Sequence, residues 1–395
     1  MRVALLAPSE AGKTTFLTAL YEQMSECISK PKHNAPLAFT FLNREQDNFL
    51  TQNLDRLYDN GLLKGTTGIH RYPVEVKSRL NGASTTLQLV DFEGNHLKGF
   101  GDAGKIEDTI NTLADCDAFI ILINADHASA SGGRFKTKIG ASKINEVLDK
   151  TLQRKRNSGY AIHGVPFMFV ISKIDLIYNN QELKEQIHRN IHESFEACFR
   201  GGEGAVTMIS DVSVGKNIDG KVSGQERGEY HPVNIMLTFL ITTAIGILSG
   251  AKARNIETAR LESEKLAKQL HYEDEKRYAD TAQASVREWE NGDVFEKLSM
   301  WWNSEGGQAR RERLVSYRLD ESKAQRTFEE WKEKAEREKG IANALRVIGQ
   351  AMLSQLVQEH TNTSEARVII EKDGTRQKIN YNENNNYDRP LEFWS

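Results

Sequence analysis

The sequence predicts an α/β fold with a mostly parallel sheet in residues 1–251, followed by an α-helical C-terminal region that ends in a small β-hairpin. The first part rests on short apolar runs that alternate with helical segments, which is typical of parallel strands buried on both faces. The second part rests on a change after Ala251, where long charged segments carry apolar residues at helical spacing.

A strand over 2–7 is expected first, and a helix over 14–27 follows it. Two strand-like runs, 72–80 and 84–92, are joined by Asn81-Gly82, a strong hairpin signal that supplies one antiparallel edge strand. The next expected elements are a helix over 105–113, a strand over 117–125, a loop over 124–140, a helix over 141–156, a strand over 165–172, a helix over 181–199 and a strand over 206–210.

The charge distribution supports a boundary near Ala251. Residues 1–251 carry 27 Lys and Arg against 28 Asp and Glu, whereas the much shorter 252–395 carries 25 against 27. Both parts are balanced, which argues against electrostatic binding of nucleic acid. The segments 252–290 and 308–358 are expected to be helices, and strands over 367–371 and 377–381 flank Asp373-Gly374. We therefore expect domains at 1–251 and 252–360, with a terminal hairpin and tail at 361–395.

Cysteine usage favours a reduced, cytoplasmic protein. Cys27, Cys116 and Cys198 are far apart, and no CxxC pair or His/Cys cluster accompanies them, so a structural zinc is not expected. The first apolar run is ended by Glu10 and Lys13 and is expected to be a buried strand rather than an export signal.

The stretch 230–251 contains no Asp, Glu, Lys or Arg. Its length is close to the roughly 20 apolar residues that cross a bilayer. Its threonines and Asn234 favour a buried core helix, and a membrane span is the alternative.

The strongest functional signal is Ala7-Pro8-Ser9-Glu10-Ala11-Gly12-Lys13-Thr14, between the first strand and the first helix. Backbone N–H groups at a helix N-terminus bind phosphate, and the helix dipole favours the negative charge. In GxxxxGK[ST] loops the lysine reaches the β- and γ-phosphates and the following hydroxyl holds Mg²⁺. The segment matches this pattern except that Ala7 replaces the first Gly. The expected nucleotide-binding residues are Glu10, Ala11, Gly12, Lys13, Thr14 and Thr15, with Thr14 also on the metal.

Two further segments end apolar strands with carboxylates. Asp91, followed by Phe92-Glu93-Gly94, can hold the Mg²⁺ shell, and the Gly94 N–H can contact a γ-phosphate. In Ser172-Lys173-Ile174-Asp175, Asp175 can accept hydrogen bonds from N1–H and N2–H₂ of guanine while the Lys173 stem lies on the base. Such paired polar contacts discriminate strongly against a base that leaves them unpaired.

In this order and spacing, the three segments resemble the P-loop GTPases of the translation-factor and Ras-like (TRAFAC) class over about residues 1–250. The resemblance implies binding of GTP or GDP with Mg²⁺. The guanine box of the class begins with Asn or Thr, where this chain has Ser172. A later Ser-Ala box is similar to Ser210-Asp211-Val212, which is expected to touch the base. Thr66 or Thr67 is expected to close on Mg²⁺ when the γ-phosphate is present, with Thr67 favoured.

The match is poorest after Gly94. Members of the class often have Gln or His there to orient the attacking water, and this chain has Asn95 and His96. His96 is either a candidate for that role or an ordinary surface histidine. The catalytic candidates are thus Lys13, Gly94, Asn95 and His96. Slow hydrolysis is expected, with a partner supplying further charge.

Three functions are compatible with these residues. The first is a GTPase whose nucleotide state controls the helical region, through which a protein partner binds. The second is a nucleotide-gated interaction module with little or no hydrolysis, which Asn95 favours. The third is a membrane-acting GTPase of dynamin-like type, for which 230–251 is the argument. Met300-Trp301-Trp302 is expected to be a core anchor or, alternatively, a partner-binding patch. The architecture is also similar to that of GTPases in bacterial conflict and signalling systems, and a homo-oligomer is left open.

Overall fold

The computed structural model describes residues 1–8, 10–29, 37–59, 63, 68–79, 82–92, 103–130, 134–157, 165–177, 180–199, 205–215, 230–293, 307–360, 367–372 and 375–380. The chain forms two compact units. The first contains Met1–Gly250 and Ala344–Ser395, and the second contains Ala251–Asn343. This division differs from the expected domains at their C-terminal end, because residues 344–360 group with the first unit rather than with the charged helices.

The described residues of the first unit form a nine-stranded sheet. Its strands are β1 (Arg2–Leu6), β2 (Leu37–Phe41), β3 (Ile69–Ser78), β4 (Ser84–Phe92), β5 (Ala118–Asn124), β6 (Pro166–Ser172), β7 (Val206–Asp211), β8 (Arg367–Lys372) and β9 (Thr375–Asn380). They lie in the order β2-β3-β4-β1-β5-β6-β7-β8-β9. Neighbours from β4 to β7 are parallel, so the central sheet is parallel as expected. The pairs at both ends of the sheet are antiparallel.

Helices connect the strands. They are α1 (Lys13–Ser29), α2 (Arg44–Tyr58), α3 (Ala103–Ala114), α4 (Ala125–Ala128), α5 (Arg134–Lys138), α6 (Ala141–Asn157), α7 (Gln181–Ser194), α8 (Glu196–Phe199), α9 (Ile235–Asn291) and α10 (Gly307–His360). The prediction of a loop over 124–140 was wrong in part, because this segment contains the short helices α4 and α5. In α4, the Asn124 side chain caps the helix by accepting from Asp126 N.

The sheet edge at β2 was not predicted. β2 pairs antiparallel with β3, so β3 lies inside the sheet and is not the edge strand expected from the Asn81-Gly82 hairpin. The chain returns to α2 through Asn43, whose side-chain oxygen accepts from Glu45 N and Gln46 N and so caps the helix. Neither element was expected: β2 has five residues, and α2 has 15 residues with Leu50, Asn53 and Leu57 buried at helical spacing.

The sheet separates two apolar cores, because successive side chains on a strand face opposite sides. Along β1, Val3 and Leu5 join the core beneath α1 and the start of α9, whereas Ala4 and Leu6 join the core beneath α3, α6 and α7. The first core also contains Ile348 and Met352 of α10. This burial is the reason that the end of α10 groups with the first unit.

The uncharged segment forms the beginning of α9. Its most apolar 18-residue window has a mean hydropathy of 1.7 and is long enough to cross a membrane, but 78% of it is buried inside the protein. Within the first unit, a Cβ on Gly349 of α10 would come within 2.8 Å of the Leu248 side chain on α9, so the glycine permits close helix packing. The segment is therefore a core helix in this structure, as expected.

The second unit consists of the later part of α9 and the earlier part of α10. Small buried residues line their inner faces, among them Ala279 on α9 and Ala324 and Ala335 on α10. The outer faces carry many exposed ion pairs, such as the 3.1 Å contact between Arg318 and Asp280. The segment around Trp301 and Trp302 lies outside the described residues.

Cys116 and Cys198 are free and buried. Burial raises the pKa of the Cys116 thiol to about 12, and burial also raises that of Cys198 to about 12. Since the thiolate is the reactive form, both side chains are packing residues rather than nucleophiles.

Candidate functional site

The loop between β1 and α1 contains two residues with a left-handed backbone conformation. Gly12 has φ +80° and Glu10 has φ +71°, in the left-handed region that non-glycine residues rarely enter. A Cβ at Gly12 would meet no atom within 4 Å, so backbone conformation rather than space calls for glycine there. Positive φ at Glu10 is strain of the kind that clusters at ligand-binding sites.

The helix α1 begins at Lys13, directly after this loop. The first N–H groups of a helix have no partner inside the helix. No acidic residue lies in the first turn of α1, so nothing there opposes an anion. Lys13 is buried, and Thr14 and Thr15 are half-buried at the same helix end. The sequence therefore places its expected phosphate-binding residues at one helix N-terminus, with Ser9 lying outside the described residues.

Two neighbouring strands hold the loop in place. Ser172 Oγ, at the end of β6, lies 2.8 Å from Ala11 O and 3.2 Å from Ile123 O. Asn124 Nδ2, at the end of β5, donates to Glu10 O over 3.4 Å. Both contacts satisfy loop carbonyls from the carboxyl edge of the sheet, where ligands bind in open α/β folds. Ser172 thus ties the candidate phosphate loop before α1 to the segment after β6 that holds Asp175.

Asp91 lies at the same edge, next to Lys13. The β1–β4 register places Asp91 opposite Leu5, one residue before the end of β1. Asp91 Oδ1 is 2.8 Å from Lys13 Nζ, and the two side chains are 1% and 8% exposed. The contact is angled outside hydrogen-bond geometry, and no described group hydrogen-bonds to this ammonium or to either carboxylate oxygen.

This buried pair is chemically incomplete. Two buried charges gain little net stability unless further hydrogen bonds complete them, because desolvation offsets most of their attraction. A phosphate would use the donors of Lys13, and a hydrated Mg²⁺ would use the oxygens of Asp91 and Thr14, since Mg²⁺ is held by one or two carboxylates together with substrate phosphates. The residues present fit both groups. Among the described residues, this site included, no cluster of three or more His, Cys, Asp or Glu residues suits a metal ion.

Asp175 lies in a 3₁₀ turn, Ile174–Ile177, directly after β6. Lys173 enters that turn with φ +58°. Ile174 N donates to Val212 O over 3.3 Å, which fastens the turn to the chain after β7. The Ser213 hydroxyl donates to Asp175 Oδ1 over 3.0 Å and also accepts from Gly215 N over 3.1 Å. Asp175 is half-buried, and a serine therefore orients its carboxylate.

The side chains of Ser210 and Asp211, the two residues expected in the later box, have partners other than Asp175. Ser210 is buried inside β7, and its hydroxyl lies 2.8 Å from Thr238 Oγ1 on α9. The Asp211 carboxylate lies 3.3 Å from His188 Nε2. The strand runs to Asp211, one residue further than expected, and Ser210 lies on the same face as Met208, toward α9. The sequence analysis did not predict Ser213. The only signal for it was its position, as a second serine two residues beyond the end of β7.

Four candidates lie outside the described residues. They are Thr67, Gly94, Asn95 and His96, together with the alternative Thr66. Their roles in metal binding and catalysis stay predictions. The structure brings together Lys13 with Asp91, Ala11 with Ser172, and Asp175 with Ser213.

Comparisons with known proteins add little to this geometry. No family model matches the chain, and no curated protein matches it. Among solved structures, the chain is similar to the signal recognition particle receptor SRb-GTP/SRX complex from Chaetomium thermophilum. The likeness covers 50% of this chain and 82% of that chain at 16% identity, with a TM-score of 0.28. A likeness of this size carries no argument about fold or function, so the site is interpreted from its own residues.

Proposed function

We propose that this protein binds guanine nucleotides with Mg²⁺ and hydrolyses GTP slowly. The observation that carries the proposal is the buried, incompletely bonded pair of Lys13 and Asp91 at the N-terminus of α1. A strand, a loop with two left-handed residues and a helix start surround this pair. Together they offer what a nucleotide phosphate chain and its cation require.

In the proposed complex, the backbone N–H groups from Glu10 to Thr14 bind the β-phosphate. Lys13 leaves its contact with Asp91 and donates to the β- and γ-phosphate oxygens. Thr14 and Asp91 hold Mg²⁺ or its water ligands, and the cation neutralises charge on the phosphates. Thr15 contacts the α-phosphate. The ion pair thus keeps both charged groups desolvated and pre-positioned until the nucleotide replaces one contact by several.

Guanine selectivity is assigned to the Asp175 turn. A carboxylate offers about four lone-pair positions, so one bond from Ser213 leaves capacity for the two donors of guanine. The adenine edge lacks these two donors and would leave Asp175 unpaired, which lowers affinity strongly. The Ser172 bond to Ala11 O fixes the distance between the base turn and the phosphate loop.

Hydrolysis is proposed to be in-line attack of water on the γ-phosphate. Lys13 stabilises the charge that develops on the phosphate oxygens, and the Gly94 N–H contacts the γ-phosphate. Asn95 or His96 orients the water. Asn is short for that task, so a low intrinsic rate and activation by a partner are part of the proposal.

Control of the helical region is proposed to start at the beginning of α9. Gln23 Oε1 of α1 accepts from Met236 N over 2.9 Å, and Tyr230 donates to Glu22 of α1 over 2.6 Å. Tyr58 at the end of α2 also donates to Glu22, and that hydrogen bond raises the pKa of Tyr58 to about 12. The helix that carries the phosphate loop therefore contacts the helix that continues into the second unit. A protein partner is proposed to bind through the second unit and respond to the nucleotide.

The proposal is tested by equilibrium binding of GTP, GDP and ATP, with and without Mg²⁺. We expect tight, guanine-selective, Mg²⁺-enhanced binding. Lys13→Ala is expected to cost about 2–5 kcal/mol of binding free energy, as for truncation of a desolvated charge contact. Asp175→Ala is expected to abolish the preference for GTP over ATP. Lys150→Ala is the matched control, because Lys150 pairs with Glu146 on an exposed surface.

Equal affinity for ATP and GTP in the wild-type protein would overturn the guanine assignment, and absence of binding to all three would overturn the whole proposal. Single-turnover measurements separate slow hydrolysis from the binding module. Release of phosphate within hours, lost in Lys13→Ala, supports hydrolysis. Tight retention of unhydrolysed GTP supports the module.

A further inference from the structure

A buried tyrosine on β3 lies on the same side of the sheet as the Lys13–Asp91 pair. In the antiparallel β3–β4 register, Tyr72 lies opposite Leu89, and His70 lies opposite Asp91. Directly opposed side chains share a face, and so do residues two apart on one strand. Tyr72 therefore lies on the same face of the sheet as Asp91, two residues along β3 from His70, which is directly opposite Asp91. Its ring stacks on that of His70, with centroids 6.4 Å apart.

The Tyr72 hydroxyl has no hydrogen-bond partner among the described residues, although the side chain is only 1% exposed. A buried hydroxyl without a partner costs free energy, because it has lost its hydrogen bonds to water. Burial, and after it the negative charge of Asp91, raises the pKa of this hydroxyl, so it is a neutral donor. Asp91 is itself a buried acceptor that no described donor satisfies.

A phenylalanine would pack as well at this position and would avoid the cost. The hydroxyl therefore calls for a polar group that is bound between β3 and the phosphate loop. The same side of the sheet holds two more incompletely bonded groups, Lys13 Nζ and the Asp91 carboxylate. One hydrated ligand can satisfy all three, since a bridging water needs two to four polar partners.

We infer that Tyr72 is a positioning residue of the cation site, whose hydroxyl donates through a water molecule to the Asp91 carboxylate when Mg²⁺ and nucleotide are bound. The bond orients Asp91 for the cation and is not itself a metal contact. Hydrogen bonds to a ligating carboxylate strengthen metal binding in this way, and their loss costs 10–100-fold in affinity. The inference rests on the proposed function and adds to its cation site Tyr72, a residue that belongs to none of the predicted motifs.

The experiment compares Tyr72→Phe with Tyr21→Phe, two variants that each delete one tyrosine hydroxyl. The Tyr21 hydroxyl, on α1, donates to Asp47 and lies 2.8 Å from Thr51 Oγ1. Both partners belong to α2, away from the proposed cation site. Two quantities are measured: the Mg²⁺ concentration for half-maximal retention of GDP, and the melting temperature of the nucleotide-free protein. A purely structural tyrosine would change the second without the first.

We expect Tyr72→Phe to raise the half-maximal Mg²⁺ concentration roughly 10-fold and to leave the melting temperature of the free protein unchanged or higher. Tyr21→Phe should do the reverse, with a lower melting temperature and the wild-type Mg²⁺ requirement. A wild-type Mg²⁺ requirement in Tyr72→Phe would overturn the inference while leaving nucleotide binding established. Failure of the wild-type protein to bind GDP at any Mg²⁺ concentration would overturn the proposed function and this inference with it.

Discussion

The buried ion pair of the first unit differs in character from the exposed ion pairs of the second. In the first, Lys13 and Asp91 are almost wholly buried and meet without an aligned hydrogen bond. In the second, Arg260 reaches Glu257 and Glu264 along one exposed helix face, with more than half of its side chain exposed. Pairs of the second kind contribute little and are screened by salt. The buried pair is costly to desolvate, and a costly arrangement that is incomplete indicates a ligand.

The first prediction breaks the buried pair from one side. Asp91→Asn leaves the Lys13 ammonium buried without a counter-charge, which is expected to lower the free energy of unfolding by about 3–5 kcal/mol. Lys13→Met combined with Asp91→Leu replaces the pair by apolar groups and is expected to restore stability to near the wild-type value. Urea denaturation of the nucleotide-free protein measures both.

The double variant tests whether the pair serves stability or ligand binding, because it is expected to affect only the second. It should fold as well as the wild type and yet bind no GDP, whereas a stabilising structural pair would leave the double variant unstable. A double variant that still bound GDP with wild-type affinity would show that the pair has no part in the site.

The central sheet and the loop were predictable, because their signals are local. β1, the Lys13-Thr14 helix start and the Asp91 strand end each follow from an apolar run and the polar residues that end it. The β2 edge was not predictable in this way, since Leu37 and Phe39 are buried by pairing with a strand some 35 residues later. The alternating burial along β2 and β3 is typical of strands, but alternation alone does not say which strands pair.

The turn that holds Asp175 shows a second limit of prediction from sequence. The sequence predicted Asp175 and, in the later box, Ser210, whereas the hydroxyl that donates to Asp175 in the structure is that of Ser213. Side chains alternate along β7, so Ser210 lies on the face that packs against α9, and Ser213 lies beyond the end of the strand. Tyr72 was not predicted as a site residue, because an aromatic residue on a strand is ordinarily a packing residue.

The second prediction concerns the bond that joins the two halves of the site. Ser172→Ala removes the donor to Ala11 O, whose residue is 1% exposed. We expect a loss of about 1–3 kcal/mol in the free energy of unfolding, because a buried carbonyl loses its partner. GDP affinity should fall with it, since the loop is no longer held at the sheet edge. Ser25→Ala is the comparison, because its hydroxyl donates to Tyr21 O within α1 and lies far along the helix from the loop.

If Ser172→Ala lost stability and kept the GDP affinity of the wild type, the bond would be structural and the loop would hold its shape without it. If Ser25→Ala reduced affinity equally, general loosening of α1 would explain both results.

The smallest effect is expected at an exposed pair. Hydrogen bonds from Lys150 and Lys143 lower the pKa of Glu146 to about 2. A depressed folded-state pKa stabilises the protein above the ordinary carboxyl range near pH 4.5, and this contribution is lost as pH falls toward 2. The three side chains are 23–51% exposed, so screening reduces the effect to less than about 0.5 kcal/mol. Glu146→Gln should therefore lower stability slightly at pH 7, by an amount that disappears in about 1 M salt. A loss of several kcal/mol that persists in salt would mean that exposed pairs resemble the buried one, and the contrast between buried and exposed pairs would no longer point to the site.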